Sequence, residues 1–127
     1  DELRGLFWGE THDLWEMAKR ISDHGPRIIV IKRGALGQFI YDAAAKRRYE
    51  IPAYPTRFVD PTGAGDAFCG GFLAGCQRTS EPVQAAMHGN VSASLKIEGT
   101  GPFSPLNGMP GLAEARLRAL QEMAREV

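Results

Sequence analysis

The chain has 127 residues, 43% of them apolar and 24% charged, and its 15 Lys and Arg balance 15 Asp and Glu. A chain of that length buries a core, while zero net charge gives no global field that draws it to nucleic acid or anionic lipid. No run of eighteen apolar residues and no basic-then-apolar leader occurs, so neither a membrane span nor a secretory signal is expected.

Thr11 can cap a first helix whose apolar side is Leu14, Met17, Ala18 and Ile21, and His24-Gly25-Pro26 stops it. Ile28-Ile29-Val30-Ile31 is a β-branched run without polar alternation, the pattern of a strand buried on both faces in a parallel sheet covered by helices. Residues 32–37 form a turn with two glycines, and 38–41 and 48–51, separated by a break at 42–45, read as an antiparallel edge hairpin. Ala53-Tyr54-Pro55 leads to a brief extended piece over 57–59, and the pattern turns helical from Ala67. There Phe68, Phe72 and Gly75 share a face, and Gly70 and Gly71 permit close packing. Ser80-Glu81-Pro82 opens a second helix, a capping serine followed by a first-turn proline, which runs to about Ile97. After a Gly- and Pro-rich loop over 98–111, a final amphipathic helix carries Leu117, Leu120, Met123 and Val127. The order implies α/β, lopsided, as one side of a larger sheet. Asp1-Glu2-Leu3 is already helical in pattern with no cap before it, which suggests a fragment.

Chemistry concentrates at residues 60–71. Thr62-Gly63-Ala64-Gly65 lies between a short strand, the extended piece over 57–59, and a helix, so successive N–H groups can face one concavity at a helix amino terminus, where the dipole favours an anion. Small residues let a phosphate approach the amides. Asp66 follows at once, placed to take the proton of an attacking hydroxyl while the amides stabilise phosphoryl charge. Read alone, the same residues serve equally well as caps and a turn. Two other nucleotide motifs are absent: no G-x-x-x-x-G-K-[ST] occurs, and Gly63, Gly65 and Gly70 do not have G-x-G-x-x-G spacing.

The whole stretch Asp60-Pro-Thr-Gly-Ala-Gly-Asp-Ala-Phe-Cys-Gly-Gly-Phe-Leu-Ala-Gly75 resembles the carboxy-terminal signature of the ribokinase-like (PfkB) carbohydrate kinases. Val30-Ile-Lys-Arg-Gly-Ala-Leu-Gly37 with Gln-Phe-Ile-Tyr resembles the family's strand, glycine turn and hairpin beside the nucleotide. Ile51-Pro-Ala-Tyr-Pro55 resembles its approach to the signature, and Gly89-Asn90-Val-Ser-Ala-Ser through Glu98-Gly-Thr-Gly101 its helix beside the adenine. The resemblance implies a three-layer α/β fold, a central mostly parallel sheet flanked by helices with an edge hairpin. Residues 1–127 would be the carboxy-terminal portion of one kinase domain, lacking the amino-terminal half and lid, and inactive without them.

By position, Asp66 resembles the general base that contacts the acceptor, and Gly63, Ala64 and Gly65 the anion hole. Lys32, Arg33, Gly34, Ala35, Leu36 and Gly37 occupy the nucleotide-contacting turn, with Gly65 beside the phosphates and Asn90 at a position bordering the adenine. Asp60 and Thr62 match positions that in many members hold a monovalent cation such as K+, whereas Lys96 and Gly99 stand where cation-dependent members often differ. Glu2 resembles the glutamate of the family's Asn-x-x-Glu motif, which helps to place Mg2+; its asparagine would precede Asp1. The implied activity is phosphoryl transfer from ATP to a sugar or nucleoside hydroxyl. Alternatives are a vitamin or pyrimidine-precursor kinase of the same fold and a catalytically idle nucleotide-binding domain. Neither nucleic acid nor membrane is an expected partner, and a homodimer would form through the lid.

Cys69 and Cys76, seven apart on one helix, would lie about 10 Å apart, too far for a disulfide, as in a cytoplasmic protein with reduced thiols. His12, His24 and His88 read as surface or packing residues, Trp8 and Trp15 as core cover, and Lys46-Arg47-Arg48 as a solvated hairpin tip.

Overall fold

The computed structural model describes residues 2–7 and 13–127. The chain begins with α1 (Glu2–Leu6) and α2 (Leu14–Ser22), followed by β1 (Ile28–Lys32), a 3-10 turn (Gly34–Leu36), β2 (Gln38–Asp42) and β3 (Arg47–Ile51). Two long helices come next, α3 (Ala64–Thr79) and α4 (Pro82–Ile97), then a 3-10 turn (Ser104–Asn107), α5 (Leu112–Met123) and a two-residue β4 (Arg125–Glu126).

Thr11 and Trp8 fall outside the described residues; the cap of α2 within them is Asp13, whose carboxylate accepts from Trp15 N at 2.7 Å and Glu16 N at 3.1 Å. An N-cap carboxylate satisfies amides that the helix leaves without partners. The sheet has the order β1-β2-β3-β4, and every pairing in it is antiparallel. The parallel pairing expected of the Ile28 run therefore does not occur within this sheet. Its neighbour β2 follows after a connection too short for the crossover that a parallel partner needs. The run does lie between two layers, as its unbroken apolar character indicates. Ile29 and Ile31 pack with Ala18 of α2 and Phe39, while Ile28 and Val30 face the core of Ile40, Phe68, Met87, Val91 and Leu120. One strand thus serves two cores, in three layers of helix, sheet and helices.

The hairpin turns on Asp42, whose carboxylate accepts from Ala44 N and Ala45 N at 3.0 Å each. Arg47 and Arg48 are exposed, as expected of a solvated charge run, and both lie on β3: Arg47 pairs with Glu126 at 3.6 Å and Arg48 lies over the Trp15 ring. Trp15 itself stacks on Phe39 with ring centroids 4.4 Å apart.

The extended piece over 57–59 is not a strand. Pro52 and Pro55 lack N–H donors, and the segment instead runs along α4. Tyr54 N donates to the Asn90 side-chain oxygen Oδ1 at 3.0 Å, and Val59 N and Asp60 N both donate to Ile97 O, at 2.9 and 3.0 Å. Antiparallel to α4 lies α3, in close contact. A Cβ on Gly71 would sit 2.7 Å from His88 O, on Gly75 2.7 Å from Ala85 Cα, and on Gly89 2.8 Å from Phe68 O. Gly70, expected to share in this packing, has nothing within 4 Å of such an atom.

Ser80, expected to cap α4, instead ends α3 with φ 56°, and the residue before α4 is Glu81, which makes no side-chain cap bond. The last helix ends at Met123, so Val127 is not on it: the chain straightens into β4, where Val127 N donates to Arg48 O at 2.9 Å. The free edge of β3 captures these residues, aided by an Arg125–Glu50 ion pair at 2.9 Å. Among the described residues, no helix is long and apolar enough to cross a membrane.

Candidate functional site

The segment along α4 delivers Asp60 to that helix's carboxy end, where the chain turns into α3. The Asp60 carboxylate accepts from Thr62 N at 3.0 Å. The Thr62 N–H, the Thr62 hydroxyl and the charge of Lys96 outweigh a small burial effect and hold its pKa below the ordinary 3.8. Gly63 then takes φ 80°, a left-handed conformation that costs a residue with a Cβ about 1–2 kcal/mol.

The three expected anion-hole amides are not equivalent. Ala64 N donates to Pro61 O at 3.0 Å, so this amide is already bonded within the turn. The N–H groups of Gly63, Gly65 and Asp66 have no acceptor among the described residues. They remain open to a ligand, as first-turn amides of a helix do. Asp66 is exposed in that same turn.

A pocket of about 340 Å³ opens here, lined by Asp60, Thr62, Gly63, Asp66, Ala67 and Lys96 and closed by Gly101, Pro102 and Pro105. The structure therefore brings together the expected Asp60, Thr62, Gly63 and Asp66. It brings in Lys96, which the family resemblance set among the cation-site positions, and adds the 101–105 loop, which the sequence reading did not place in the site. Lys96 is only 5% exposed, and its ammonium donates to Gly99 O at 3.2 Å. Helical spacing gives no signal for it, since Lys96 stands two residues from the buried Ser94 and five from the buried Val91 and so shares a helical face with neither.

The expected nucleotide turn lies elsewhere. Lys32 alone reaches across to α3, with its ammonium 3.5 Å from Gly65 O and 3.9 Å from Cys69 Sγ. Arg33 lies over the Phe39 ring and donates to Leu36 O at 3.3 Å, while Gly34, Ala35 and Leu36 are exposed. Gly37 has φ 84°, and a Cβ there would fall 2.2 Å from Ile51 O, so only glycine fits. Lys32, Arg33, Gly34 and Leu36 line a second groove of about 560 Å³, which also contains Glu2. Glu2 is thus grouped with the turn and not with Asp60 and Thr62. Among the described residues no cluster of three or more metal-ligating side chains occurs.

Asn90 is 5% exposed and lies outside the pocket lining. Its amide nitrogen donates to Pro52 O at 2.8 Å and Gln38 Oε1 at 3.3 Å, and its oxygen accepts from Tyr54 N. That side chain is fully engaged in tying β2, the 52–54 segment and α4 together.

A second polar cluster steadies the far side of α4. The Arg116 guanidinium donates to Glu98 at 2.6 Å and to Ser94 Oγ at 2.8 Å, and lies over the Tyr54 ring. Burial opposes ionisation of Glu98. Hydrogen bonds from the Thr56 hydroxyl and Arg116, the Arg116 charge and a backbone N–H outweigh it, so its pKa lies below the ordinary 4.5. Sequence gives no local signal for Arg116, which meets Glu98 from 18 residues away. His24 bonds its own helix at Arg20 O and His88 packs against Gly75, consistent with structural roles, while His12 lies outside the described residues.

The profile of the pfkB family carbohydrate kinases matches residues 1–107. This chain belongs to that family. It is 38% identical over 78 residues to the cytidine kinase of Thermococcus kodakarensis, covering 61% of this chain and 28% of that protein. To the 2-dehydro-3-deoxygluconokinase of Dickeya dadantii it is 33% identical over 108 residues, covering 83% and 34%. The chain thus spans about a third of the length of these relatives. Among solved structures, the ribokinase of Thermotoga maritima superposes with a TM-score of 0.73 over 95% of this chain and 38% of that one at 23% identity, which shows the ribokinase-like fold. The aminoimidazole riboside kinase of Salmonella enterica, solved with aminoimidazole riboside and an ATP analog, superposes with a TM-score of 0.72 over 92% and 39% at 26% identity.

Proposed function

We propose that this pfkB-family chain forms the phosphoryl-transfer side of an ATP-dependent kinase whose acceptor is a hydroxyl of a sugar or nucleoside. One observation carries the reading: an exposed carboxylate, Asp66, shares the first turn of α3 with the acceptor-free N–H groups of Gly63, Gly65 and Asp66, over a pocket. A carboxylate there takes the acceptor's proton as its oxygen attacks the terminal phosphorus of ATP, and the amides stabilise charge on the phosphoryl oxygens. The Ala64 amide has no share in this, since Pro61 O holds it. Lys32 bridges the nucleotide turn to α3 and is suited to the nucleotide phosphates, with Arg33, Gly34, Ala35, Leu36 and Gly37 shaping that side. Asn90 acts on the nucleotide side by positioning β2 and α4 rather than by direct contact.

The described residues do not by themselves form a magnesium cage. Mg2+ belongs to the proposal as an ion carried on the nucleotide phosphates, whose charge it neutralises, with Glu2 as the nearby carboxylate on the side of the nucleotide turn. The acceptor site and lid belong, in this reading, to a preceding portion of a longer kinase domain. Coverage of 28% and 34% of the relatives' lengths supports that division. So does the outer edge of β1, which has no strand partner among the described residues. A homodimer would then form through that lid. Two free cysteines accord with a cytoplasmic setting.

The test is ATP consumption by the full-length protein against a panel of sugars, sugar acids and nucleosides. Turnover with one acceptor, abolished in Asp66→Asn, is expected. Binding of ATP without turnover on any acceptor would favour an idle nucleotide-binding domain instead.

A further inference from the structure

Lys96 is a buried cation beside the proposed anion site, in the place where the family resemblance suggests a monovalent metal ion. The pocket residues do not suit such an ion. A hard cation needs several oxygen ligands directed at it. Here the Asp60 carboxylate is already bonded to Thr62 N, and Lys96 lines the same pocket. A Cβ on Gly63 would be 3.7 Å from Lys96 Cε, which puts the end of the lysine stem against the turn into α3. A metal ion placed among these residues would be repelled by the ammonium.

Burial of a lysine is uncommon unless its charge is compensated. Lys96 is in the last turn of α4, where the carbonyl end of the helix favours a cation. Its ammonium has three donors, and Gly99 O is the one hydrogen-bond acceptor it has among the described residues. Asp60 feels its charge from across the pocket. Lys96 lines a cavity together with Asp66 and the turn into α3.

Resting on the kinase reading above, we propose that Lys96 supplies, as a covalently attached ammonium, the positive charge that a monovalent cation would otherwise bring to the anion site. The phosphoryl-transfer centre built on this chain therefore works without K+. Lys96 acts through the turn at Gly63 and through the field at the head of α3, as a charge-supplying residue and not as the base. A purely structural role, closing the 98–101 loop onto α4, would make no such demand on cations in solution.

The experiment uses the full-length protein in KCl and in choline chloride at equal ionic strength, with two readouts, turnover and melting temperature. Wild-type protein is expected to give the same turnover and the same melting temperature in both salts. Lys96→Ala is expected to lose about 10- to 100-fold in turnover, with part restored by KCl and none by choline. Its melting temperature is expected to rise in KCl alone, as a newly bound ion stabilises the folded state. Lys96→Arg keeps the charge and is expected to stay indifferent to K+. Activation or stabilisation of the wild-type protein by K+ over choline would overturn the proposal. So would a folded Lys96→Ala with wild-type turnover in choline. If Lys96→Ala does not fold, the wild-type comparison decides. If the wild-type protein turns over no acceptor, the kinase reading fails, and the melting comparison still decides whether Lys96 stands in for the cation.

Discussion

Two glycine-bearing turns, at 32–37 and at 60–66, carry the residues expected to meet the nucleotide, yet their glycines serve different ends and only the second opens a long helix. The first turn is closed by three backbone bonds, from Arg33 N to Gly37 O at 2.8 Å, Leu36 N to Arg33 O at 3.2 Å and Gly37 N to Gly34 O at 3.1 Å, while the N–H groups of Gly34 and Ala35 have no acceptor among the described residues. Its glycine at 37 exists for closeness, because the backbone at 51–53 leaves no space for a Cβ. The second turn leaves three amides without an acceptor among the described residues, and its glycine at 63 exists for conformation, with Lys96 Cε near a would-be Cβ. Open amides at the head of α3 are backed by the dipole of a long helix, which a single 3-10 turn lacks. The chemistry therefore belongs to the second turn, with the first contributing shape and the Lys32 ammonium.

Four measurements break or sharpen this contrast. The largest effect is expected from Asp66→Asn, which removes a base and should lower turnover about 10²- to 10⁴-fold while ATP affinity, by calorimetric titration, is retained. Wild-type turnover in that variant would remove the second turn from the chemistry. Next comes Gly37→Ala, in which a Cβ would meet Ile51 O at 2.2 Å and force the turn from the hairpin. It should cost about 3 kcal/mol by denaturant unfolding, combining overpacking with left-handed strain. Gly63→Ala has ordinary room for its Cβ and should lose only about 1 kcal/mol. Because the new methyl group faces the pocket, its turnover should nevertheless drop more than its stability does. Equal stability losses at 37 and 63 would erase the distinction between closeness and conformation.

The smallest effect is expected from acid. Glu98 has a folded-state pKa below 4.5, so it contributes stability that is fully present above that value and is lost as pH falls through the folded pKa. Melting temperature should therefore decline below about pH 4.5, less steeply in Glu98→Gln. Its partial exposure, 31% of the side chain, keeps the contribution modest. Asp60, depressed as well, should add a lower-lying component to the same limb. An identical acid limb in Glu98→Gln would mean that the Arg116 cluster does not steady the site.

Much of this architecture was legible because it rests on local pattern. Helices α2, α3 and α4 and the hairpin fall close to their expected bounds, since apolar spacing reports which side of an element is buried. The unbroken Ile28 run correctly indicated two covered faces, but it holds no information on strand direction, which the length of the connection to β2 decides. The extended 57–59 piece was misread as a strand because an extended chain looks alike whether its partner is a strand or the end of a helix. β4 was missed because two residues are too few to show alternation, and it exists only because β3 offers an edge. Ser80 was placed on the wrong helix because a serine between two helices suits the end of one as well as the start of the next.

The site divides in the same way. The sequence by itself determined the Gly-Ala-Gly-Asp stretch at the head of α3 and the carboxylate beside it, since backbone amides, a small-residue turn and a helix start are all properties of consecutive residues. Only the tertiary structure decided that Asn90 is a clamp and that Lys96 shares a pocket with Asp60 and Asp66. Lys96 is separated from Asp66 by a helix, a turn and most of a second helix, and the two share a pocket because Gly71, Gly75 and Gly89 let α3 and α4 approach backbone to backbone. Such a meeting depends on packing between distant segments, and packing leaves no periodic trace in either one.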